Sequence, residues 1–519
     1  MDPVVATLVI LVLAVIAFVS NRVPIGVVAI GVALALFFTG VLTLPEALAG
    51  FGDPTVLFIA ALFVVSESLD ATGVTAWAGQ QVIGRAGTKR TRLVVVIAVL
   101  VAVLSALISI NGAVAALLPL VVLVAARAGL ASSKLLLPLA FAASAGSLLL
   151  LTGTPVNILV SDFAAAAGGR AFGFFEFALA GIPVVAGTVT IVLLAGRLIP
   201  ERTGALMPVD LVRHARLLRQ QYAVTLDTGT LLGPVTGVTE VVVAPRSPLI
   251  GTHVCAGMTT PDGDLVVLGA RRGDEQLTGP EILVQAGDAL LLQGTWDDLS
   301  RHSHDSGVLV VDDPARLRRS VPLGRGAKRA IGILIVMIAL LATGLVPPAA
   351  VALLAACALV VTRTVTVSQA YHSIPWSTVV LIAGMIPMST AFISTGTADL
   401  VAEWMLSFLG GTGPHAALLA LCVLAVVLGQ LISNTATVLI VAPIAIAIAQ
   451  SLDLSVQPFM MALTVAGAAS FLTPIATPAN LMVMEPAGLR FGDYWRFGLP
   501  LVLFFLAVSV LWVPLIWPF

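Results

Sequence analysis

Two polar stretches set inside apolar sequence, SINGAVAALLP from Ser109 to Pro119 and SNTATVLIVAP from Ser433 to Pro443, mark a chain that is built twice. Around them Val23-Pro24 recurs as Val346-Pro347, Asp53-Pro-Thr-Val56 as Trp376-Ser-Thr-Val379, Asn111 as Asn434, and Thr154-Pro155 as Thr477-Pro478. Each pair lies 323 positions apart. A repeat held at one offset across most of each half confines the fold to two equivalent units, residues 1–200 and 323–519, flanking an insertion at 201–322.

What each half can be follows from hydropathy. Hydrophobic residues make up 59% of the chain and charged residues 10%, and the mean hydropathy is +1.08. Apolar runs of about 17 to 25 residues recur, long enough to cross a bilayer as helices and unlike the short alternating strands of a barrel. The fold class is therefore a polytopic α-helical membrane protein. The first run, from Val4 to Val19, lacks a basic leader and a cleavage site, so it reads as a retained span. A net charge of −1 with no basic stripe argues against a nucleic-acid partner. Cys255, Cys357 and Cys422 are too scattered to imply a disulfide framework or a zinc site.

Spans are expected at 4–20, 24–42, 54–70, 135–161 and 175–199, with a re-entrant hairpin at 93–127 whose arms are too short to cross. Five crossings per half is an odd number, which makes the second copy inverted relative to the first. Arg22, Arg85, Lys89, Arg90, Arg92, Arg127, Lys134, Arg197, Lys328, Arg329, Arg363, Arg490 and Arg496 fall on one side and almost only Arg170 on the other. The positive-inside rule makes the basic side cytoplasmic and puts both termini outside, in the cell membrane. The first hairpin then enters from inside and the second, Pro414 to Gln450, from outside.

The insertion carries most of the charge. Its start is a polar helical linker, and apolar runs at 239–243, 265–268 and 289–292, punctuated by Gly, Pro and Asp, predict a small β-rich domain.

The polar breaks suit an anion. Asn111 and Asn434 read as N-cap candidates for the return arms of the hairpins, and Thr154-Pro155 and Thr477-Pro478 place a hydroxyl before a proline at the first helical position. Four helix starts meeting near the midplane would offer free N–H groups and positive dipole ends to a negative substrate without buried Arg or Lys. Side-chain and carbonyl oxygens beside the same breaks could ligate a small cation such as sodium.

ISNTATVLIVAP followed by FLTPIATPANLMV, with SINGAVAALLP and LLLLTGTPVNILV in the first half, resembles the divalent anion/sodium symporter family, within the wider ion-transporter superfamily that includes arsenite permeases. The resemblance covers both membrane halves and implies a homodimer in which each protomer has a scaffold and a mobile transport domain. It implies a substrate site at Asn111, Gly112, Thr154, Pro155, Ser433, Asn434, Thr435, Thr477 and Pro478. It implies sodium sites at Ser109, Ile110, Asn111 and Gly153 in the first half, and at Gly429, Ile432, Asn434 and Ala476 in the second. The first tip departs from the pattern, with Ile110, Asn111 and Gly112 where Ser-Asn-Thr is expected. Ser105 and Ser109 either compensate by facing the same cavity or bond back to their own helix.

EVVVAPRSPLIG (Glu240 to Gly251) and ILVQAGDALLLQG (Ile282 to Gly294) resemble the C-terminal subdomain of potassium-conductance regulators, the TrkA-C (RCK) type, with a core at about 222–310. That resemblance implies a small α/β regulatory module and, in some members, a nucleotide ligand. No glycine-rich dinucleotide loop accompanies it. Glu67 and Asp70 read either as proton-coupling carboxylates or as interfacial partners of Arg85 and Lys89. Glu485, Arg490, Asp493, Tyr494 and Trp495 read as interface anchors. His302, His304 and Asp305 read as a solvated loop rather than a metal site. No nucleophile–base pair or phosphate cradle appears, so the chain is expected to be no enzyme. The expected function is secondary active transport of a divalent anion, sulfate or dicarboxylate, with sodium. Alternatives are a proton-coupled or arsenite-type anion permease, and a ligand-gated channel or sensor worked by the insertion.

Overall fold

Long apolar segments free of charge become helices because the chain has no other way to satisfy its backbone away from water. The computed structural model describes residues 2–20, 22–85, 87, 89–204, 222, 236–260, 263–273, 275–277, 281–302, 307–311, 314, 326–409 and 413–519. The chain divides into one compact unit of residues 1–68, 82–206 and 331–519 and a second of residues 69–81 and 207–330.

The helices of the first half run α1 (Pro3–Ser20), α2 (Ile25–Phe38), α3 (Leu44–Leu48), α4 (Pro54–Ala71), α5 (Val74–Gly84), α6 (Arg90–Leu107), α7 (Ile110–Arg127), α8 (Ser133–Gly146), α9 (Pro155–Ala166) and α10 (Ala178–Leu194). After the insertion, which holds α11 (Trp296–His302), the same order returns. It runs α12 (Ala327–Thr343), α13 (Pro348–Val361), α14 (Val367–Ser373), α15 (Trp376–Ser394), α16 (Thr397–Leu409), α17 (Pro414–Gly429), α18 (Asn434–Ser451), α19 (Val456–Gly467), α20 (Pro478–Met484) and α21 (Tyr494–Ala507). A π-helical turn and α22 (Val513–Ile516) extend the last helix. Seven helical segments among the described residues are long and apolar enough to cross a membrane. The fold is a polytopic helical membrane protein with a hairpin (α6–α7, α17–α18) and a broken helix (α8–α9, α19–α20) at matched places in each half.

One short helix in each half was not legible in the hydropathy. α5 has 11 residues and α16 has 13, so at about 1.5 Å per residue neither spans a core of about 30 Å. α16 is amphipathic, leaving Leu400 and Trp404 exposed while Ala398 and Ala402 are buried.

The centre of the membrane unit is made of the interrupted elements. Every residue of α8 is buried, as is every residue of α19 except Gln457, whereas α1, α2 and α13 keep one apolar face exposed. Close approach requires small residues: a Cβ on Gly146 of α8 would lie 2.2 Å from the Ala102 backbone of α6. The halves interlock, since α9 packs on α18 and α19, and α20 packs on α7 and α8. Phe141 of α8 stacks on Phe497 and meets Phe471 and Tyr494 of the second half.

Lys134, one of the basic residues assigned to the cytoplasmic side, is buried and donates to the carbonyls of Gly196 (3.1 Å) and Ile199 (2.6 Å). Arg170, expected on the opposite side, is paired with Glu176, which also accepts from Trp517 Nε1 at 2.7 Å.

The second unit holds a five-stranded sheet of order β4-β3-β6-β1-β7 and a two-stranded ribbon β2-β5. Its strands are β1 (Thr236–Val243), β2 (His253–Val254), β3 (Leu265–Arg272), β4 (Glu275–Leu277), β5 (Ile282–Leu283), β6 (Ala289–Thr295) and β7 (Val308–Val310), and the three apolar runs expected to be strands fall in β1, β3 and β6. Antiparallel pairing of β1 with β6 sets Val241 opposite Leu290. Val241, Val243, Leu290, Leu292 and Trp296 pack on one face, and Val238, Ala289, Leu291 and Tyr222 on the other, the period-2 alternation of a sheet covered on both sides. Glu240 is buried because Tyr222 Oη donates to it at 2.7 Å and Arg271 at 3.3 Å. Most of the polar linker, with His304 and Asp305, lies outside the described residues. His302 ends α11 with Nδ1 3.0 Å from the Asp298 carbonyl.

Candidate functional site

The return arms of both hairpins start at a serine. Ser109 Oγ accepts from Gly112 N at 3.1 Å and Ser433 Oγ accepts from Ala436 N at 3.3 Å. The expected caps, Asn111 and Asn434, are therefore displaced: Asn434 occupies the first helical position of α18 and Asn111 the second of α7. By position in the helix, Ser109 corresponds to Ser433, Ile110 to Asn434 and Asn111 to Thr435, a local offset of 324 rather than 323. The shift arises because the turn before α18 is longer, with four residues between Gly429 and Asn434 against two between Leu107 and Ile110.

The broken helices keep the offset of 323. Thr154 caps α9, accepting from Val156 N at 3.4 Å, and Thr477 caps α20, accepting from Asn480 N at 3.2 Å. Pro155 and Pro478 sit at the first helical positions, where a missing N–H costs nothing. Ahead of them Leu151–Gly153 and Pro474–Ala476 form single 3₁₀ turns. A Cβ on Gly153 would fall 2.2 Å from the Ser147 carbonyl, so the first loop closes only around glycine.

Two residues not singled out in the sequence hold these loops. Asn157 Nδ2 donates to the carbonyls of Ser147 (2.9 Å) and Leu150 (2.8 Å). Asn480 Nδ2 donates to those of Ser470 (2.8 Å) and Thr473 (3.3 Å). Both asparagines are fully buried, and each reaches 10 and 7 residues back, spanning its own break. They are 323 apart and lie inside the quoted motifs, so the repeat could have found them. Tyr494, expected as an interface anchor, is instead fully buried and donates to the Asn480 carbonyl at 2.7 Å. Asp493 pairs with Arg202 at 2.7 Å, whereas Trp495 is exposed.

Hairpin and break meet within each half. In the first, Thr152 Oγ1 donates to the Ala106 carbonyl at 3.3 Å. A cavity of about 20 Å³, room for a single water-sized group, is lined by Ile108, Ser109, Thr152, Gly153, Pro155 and Ile158 with Ile59, Leu62 and Phe63 of α4. In the second, Ser470 Oγ donates to Asn434 Oδ1 at 2.5 Å and lies 3.4 Å from the Gly429 carbonyl. Gln430 bridges the same two elements, donating to the Ala469 carbonyl at 3.1 Å and accepting from Leu472 N at 2.9 Å.

Ser105 is fully buried, with its hydroxyl 2.8 Å from the Ala143 carbonyl of α8 and 3.2 Å from the Ala102 carbonyl of its own helix. Asn111 is exposed, and Ile110, Gly112, Asn434 and Thr435 are half-buried. Ile432, Ala476 and Thr477 are buried, with Ile432 in the longer turn before α18 and Ala476 closing the second 3₁₀ turn. Glu67 and Asp70 both have interaction partners within the chain. No Lys or Arg occurs between 93 and 126, between 135 and 169, or between 414 and 489.

A family model described as citrate transporter matches residues 15–417 and 408–519. The transporter YfbS of Escherichia coli strain K12 is 30% identical to this chain over 98% of each. Sodium/sulfate cotransporter 1 of Chlamydomonas reinhardtii is 26% identical over 52% of this chain, which corresponds to 31% of its own length. The crystal structure of the Alcanivorax borkumensis YdaH transporter shares the fold, with a TM-score of 0.52 over 93% of this chain and 88% of that one at 16% identity. A multi-pass helical unit with paired broken helices, matched over nearly its whole length by transporters, is a membrane transporter and not an enzyme, and the chain belongs to the citrate transporter family.

Proposed function

We propose that this transporter is a secondary active symporter that carries a divalent anion, sulfate ahead of a dicarboxylate, together with sodium by alternating access. The observation that carries the reading is the capped helix starts at Ser109, Ser433, Thr154 and Thr477, set in segments without Lys or Arg. Helix N-termini attract anions through free N–H groups and the dipole. α20, with seven residues, contributes the weakest dipole of the four. Sulfate is placed first because relatives named sodium/sulfate cotransporters match half of the chain, and because a TrkA-C-like insertion accompanies the divalent anion/sodium symporter pattern.

In this reading Asn111, Gly112, Thr154, Pro155, Ser433, Asn434, Thr435, Thr477 and Pro478 surround the anion. Sodium takes oxygen ligands from Gly429, Ile432, Asn434 and Ala476 in the second half. The donor set of the second half fits such an ion, because Asn434 Oδ1 and the Gly429 carbonyl both lie within hydrogen-bond reach of Ser470 Oγ. The first set, Ser109, Ile110, Asn111 and Gly153, offers fewer side-chain oxygens, since Ile110 has only its backbone. The halves 1–200 and 323–519 are inverted copies within a homodimer, and the insertion at 201–322 is a cytoplasmic regulatory module for a nucleotide or another ligand. Deletion of residues 205–320 that leaves uptake kinetics and assembly unchanged would remove that last role.

The test is uptake of labelled sulfate, succinate and citrate into proteoliposomes with and without an inward sodium gradient. Sodium-driven uphill accumulation of sulfate or succinate is expected, and Asn434→Ala should abolish it in a protein that still folds. Accumulation driven by a proton gradient alone selects proton coupling, downhill flux alone selects a channel, and movement of none of the three anions ends the proposal.

A further inference from the structure

Four cations crowd the start of one helix. Arg85, Lys89, Arg90 and Arg92 fall within eight positions at the beginning of α6, and all four are exposed. The first turn of α6 holds no acidic residue, and Lys89, its N-cap, makes no capping bond. Basic groups at a helix start oppose the dipole. Among the described residues none of the four is in an ion pair, so the charge stands uncompensated.

A fifth cation joins them from the end of α10. Arg90 Nη2 donates to the Gly196 carbonyl at 3.2 Å, which sets the start of α6 against the turn that follows α10, and Arg197 in that turn is exposed. Lys134 donates to the same carbonyl and has Glu201 at 3.5 Å. The basic residues elsewhere on this side include solitary ones: Arg22 and Arg363 have no other Lys or Arg within 30 residues. Orienting a chain in the membrane requires only that basic residues lie on one side. It does not require five of them at one seam.

The two helices also present apolar surface that ends at these arginines. On α6 Arg92 is followed at helical spacing by Val99 (47% exposed) and Val103 (48% exposed). On α10 Ile182, Leu193 and Leu194 are exposed ahead of Arg197. From Arg92 to Val103 the stripe is about 16 Å long at about 1.5 Å per residue, close to the depth of about 15 Å of one leaflet. A free phosphate ion would meet the cations alone, whereas a phospholipid also covers the stripes.

We infer that Arg90, Arg92 and Arg197 hold the phosphate of an anionic phospholipid at the seam between the start of α6 and the end of α10, with its acyl chains along Val99, Val103, Leu193 and Leu194. Basic pockets between helices at the membrane surface bind such headgroups, and the guanidinium fork meets phosphate oxygens two at a time. The bound headgroup neutralises cations that otherwise repel one another where α6 meets α10, and so ties the first hairpin to α10. The site is independent of which anion the protein carries.

The experiment is thermal unfolding of the purified full-length protein in a neutral detergent doped with phosphatidylglycerol or, at the same mole fraction, phosphatidylcholine. A ligand that binds only the folded state raises the midpoint with its concentration. Wild type is expected to rise with phosphatidylglycerol, and not with phosphatidylcholine or with inorganic phosphate. Arg92→Gln should need about fivefold more phosphatidylglycerol for the same rise, and Arg92→Gln with Arg197→Gln about 25-fold more. Arg22→Gln with Arg363→Gln removes the same number of charges from solitary positions and should titrate like wild type.

Equal shifts in the two double variants would reduce the effect to diffuse attraction and overturn the site. A wild type that melts identically in both lipids would overturn it too, and a rise with inorganic phosphate equal to that with phosphatidylglycerol would remove the lipid. Should the Arg92 and Arg197 double variant fail to fold, Arg92→Gln decides alone: titration like wild type ends the proposal.

Discussion

Replacing Asn480 by leucine isolates what holds the second break open. The side chain keeps a similar volume but loses both amide donors, leaving the buried carbonyls of Ser470 and Thr473 without the hydrogen bonds they have at 2.8 and 3.3 Å. Side-chain hydrogen bonds between helices in membrane proteins are worth about 0.6 kcal/mol on average and about 1.7 kcal/mol at most, so two of them amount to about 1–3 kcal/mol. Asn480 Oδ1 itself has no partner among the described residues, so removing it returns part of that loss. The net destabilisation expected is about 1–2 kcal/mol. Asn157→Leu should cost a similar amount, because Asn157 makes the same pair of bonds across the first break. Tyr494→Phe, which deletes the single 2.7 Å bond to the Asn480 carbonyl, should cost about half as much. Thermal unfolding of the three variants side by side gives the ranking. Loss of uptake is expected for both asparagine variants, since a loosened break displaces Thr154 or Thr477. An Asn480→Leu protein that melts at or above wild type and transports normally would refute the clamp.

The remaining expectations concern packing and pH. Gly153→Ala should fail to give a monodisperse protein, since its methyl would sit 2.2 Å from the Ser147 carbonyl and overpacking costs about 1–3 kcal/mol or more; size-exclusion chromatography reads the result. In the insertion, burial alone would push the Asp288 carboxyl up, but the Arg272 guanidinium and the Gln285 N–H hold it below its usual range. A carboxyl lowered on folding stabilises fully above the unfolded value of about 3.9 and loses that contribution as pH falls through the folded value. Arg272→Gln should therefore make hydrogen exchange across 282–295 rise at a higher pH than in wild type during acidification. Identical exchange profiles would remove Asp288 from that role.

What the sequence decided is the part governed by local chemistry. Charge-free apolar runs must be helical in a bilayer, and Thr-Pro must start a helix, so the broken helices at Thr154 and Thr477 and the strands around Val241, Val267 and Leu290 were legible. The short helices α5 and α16 were not, because neither is long enough to cross a membrane and hydropathy alone does not mark them. The asparagines mislead on the register of the hairpin tips: they lie 323 apart and look equivalent, but Ser109 and Ser433, like Pro119 and Pro443, lie 324 apart, and the longer turn before α18 puts the cap on serine and matches Asn111 with Thr435. Tertiary packing decided the rest. Asn157 and Asn480 become clamps only when the chain folds back on carbonyls 7 and 10 residues upstream. Ser470 and Asn434, 36 residues apart, bond to each other only when the hairpin tip and the second break meet. Helix formation depends on residues three and four apart, whereas a site of neutral oxygens depends on distances between elements that no single stretch of sequence encodes.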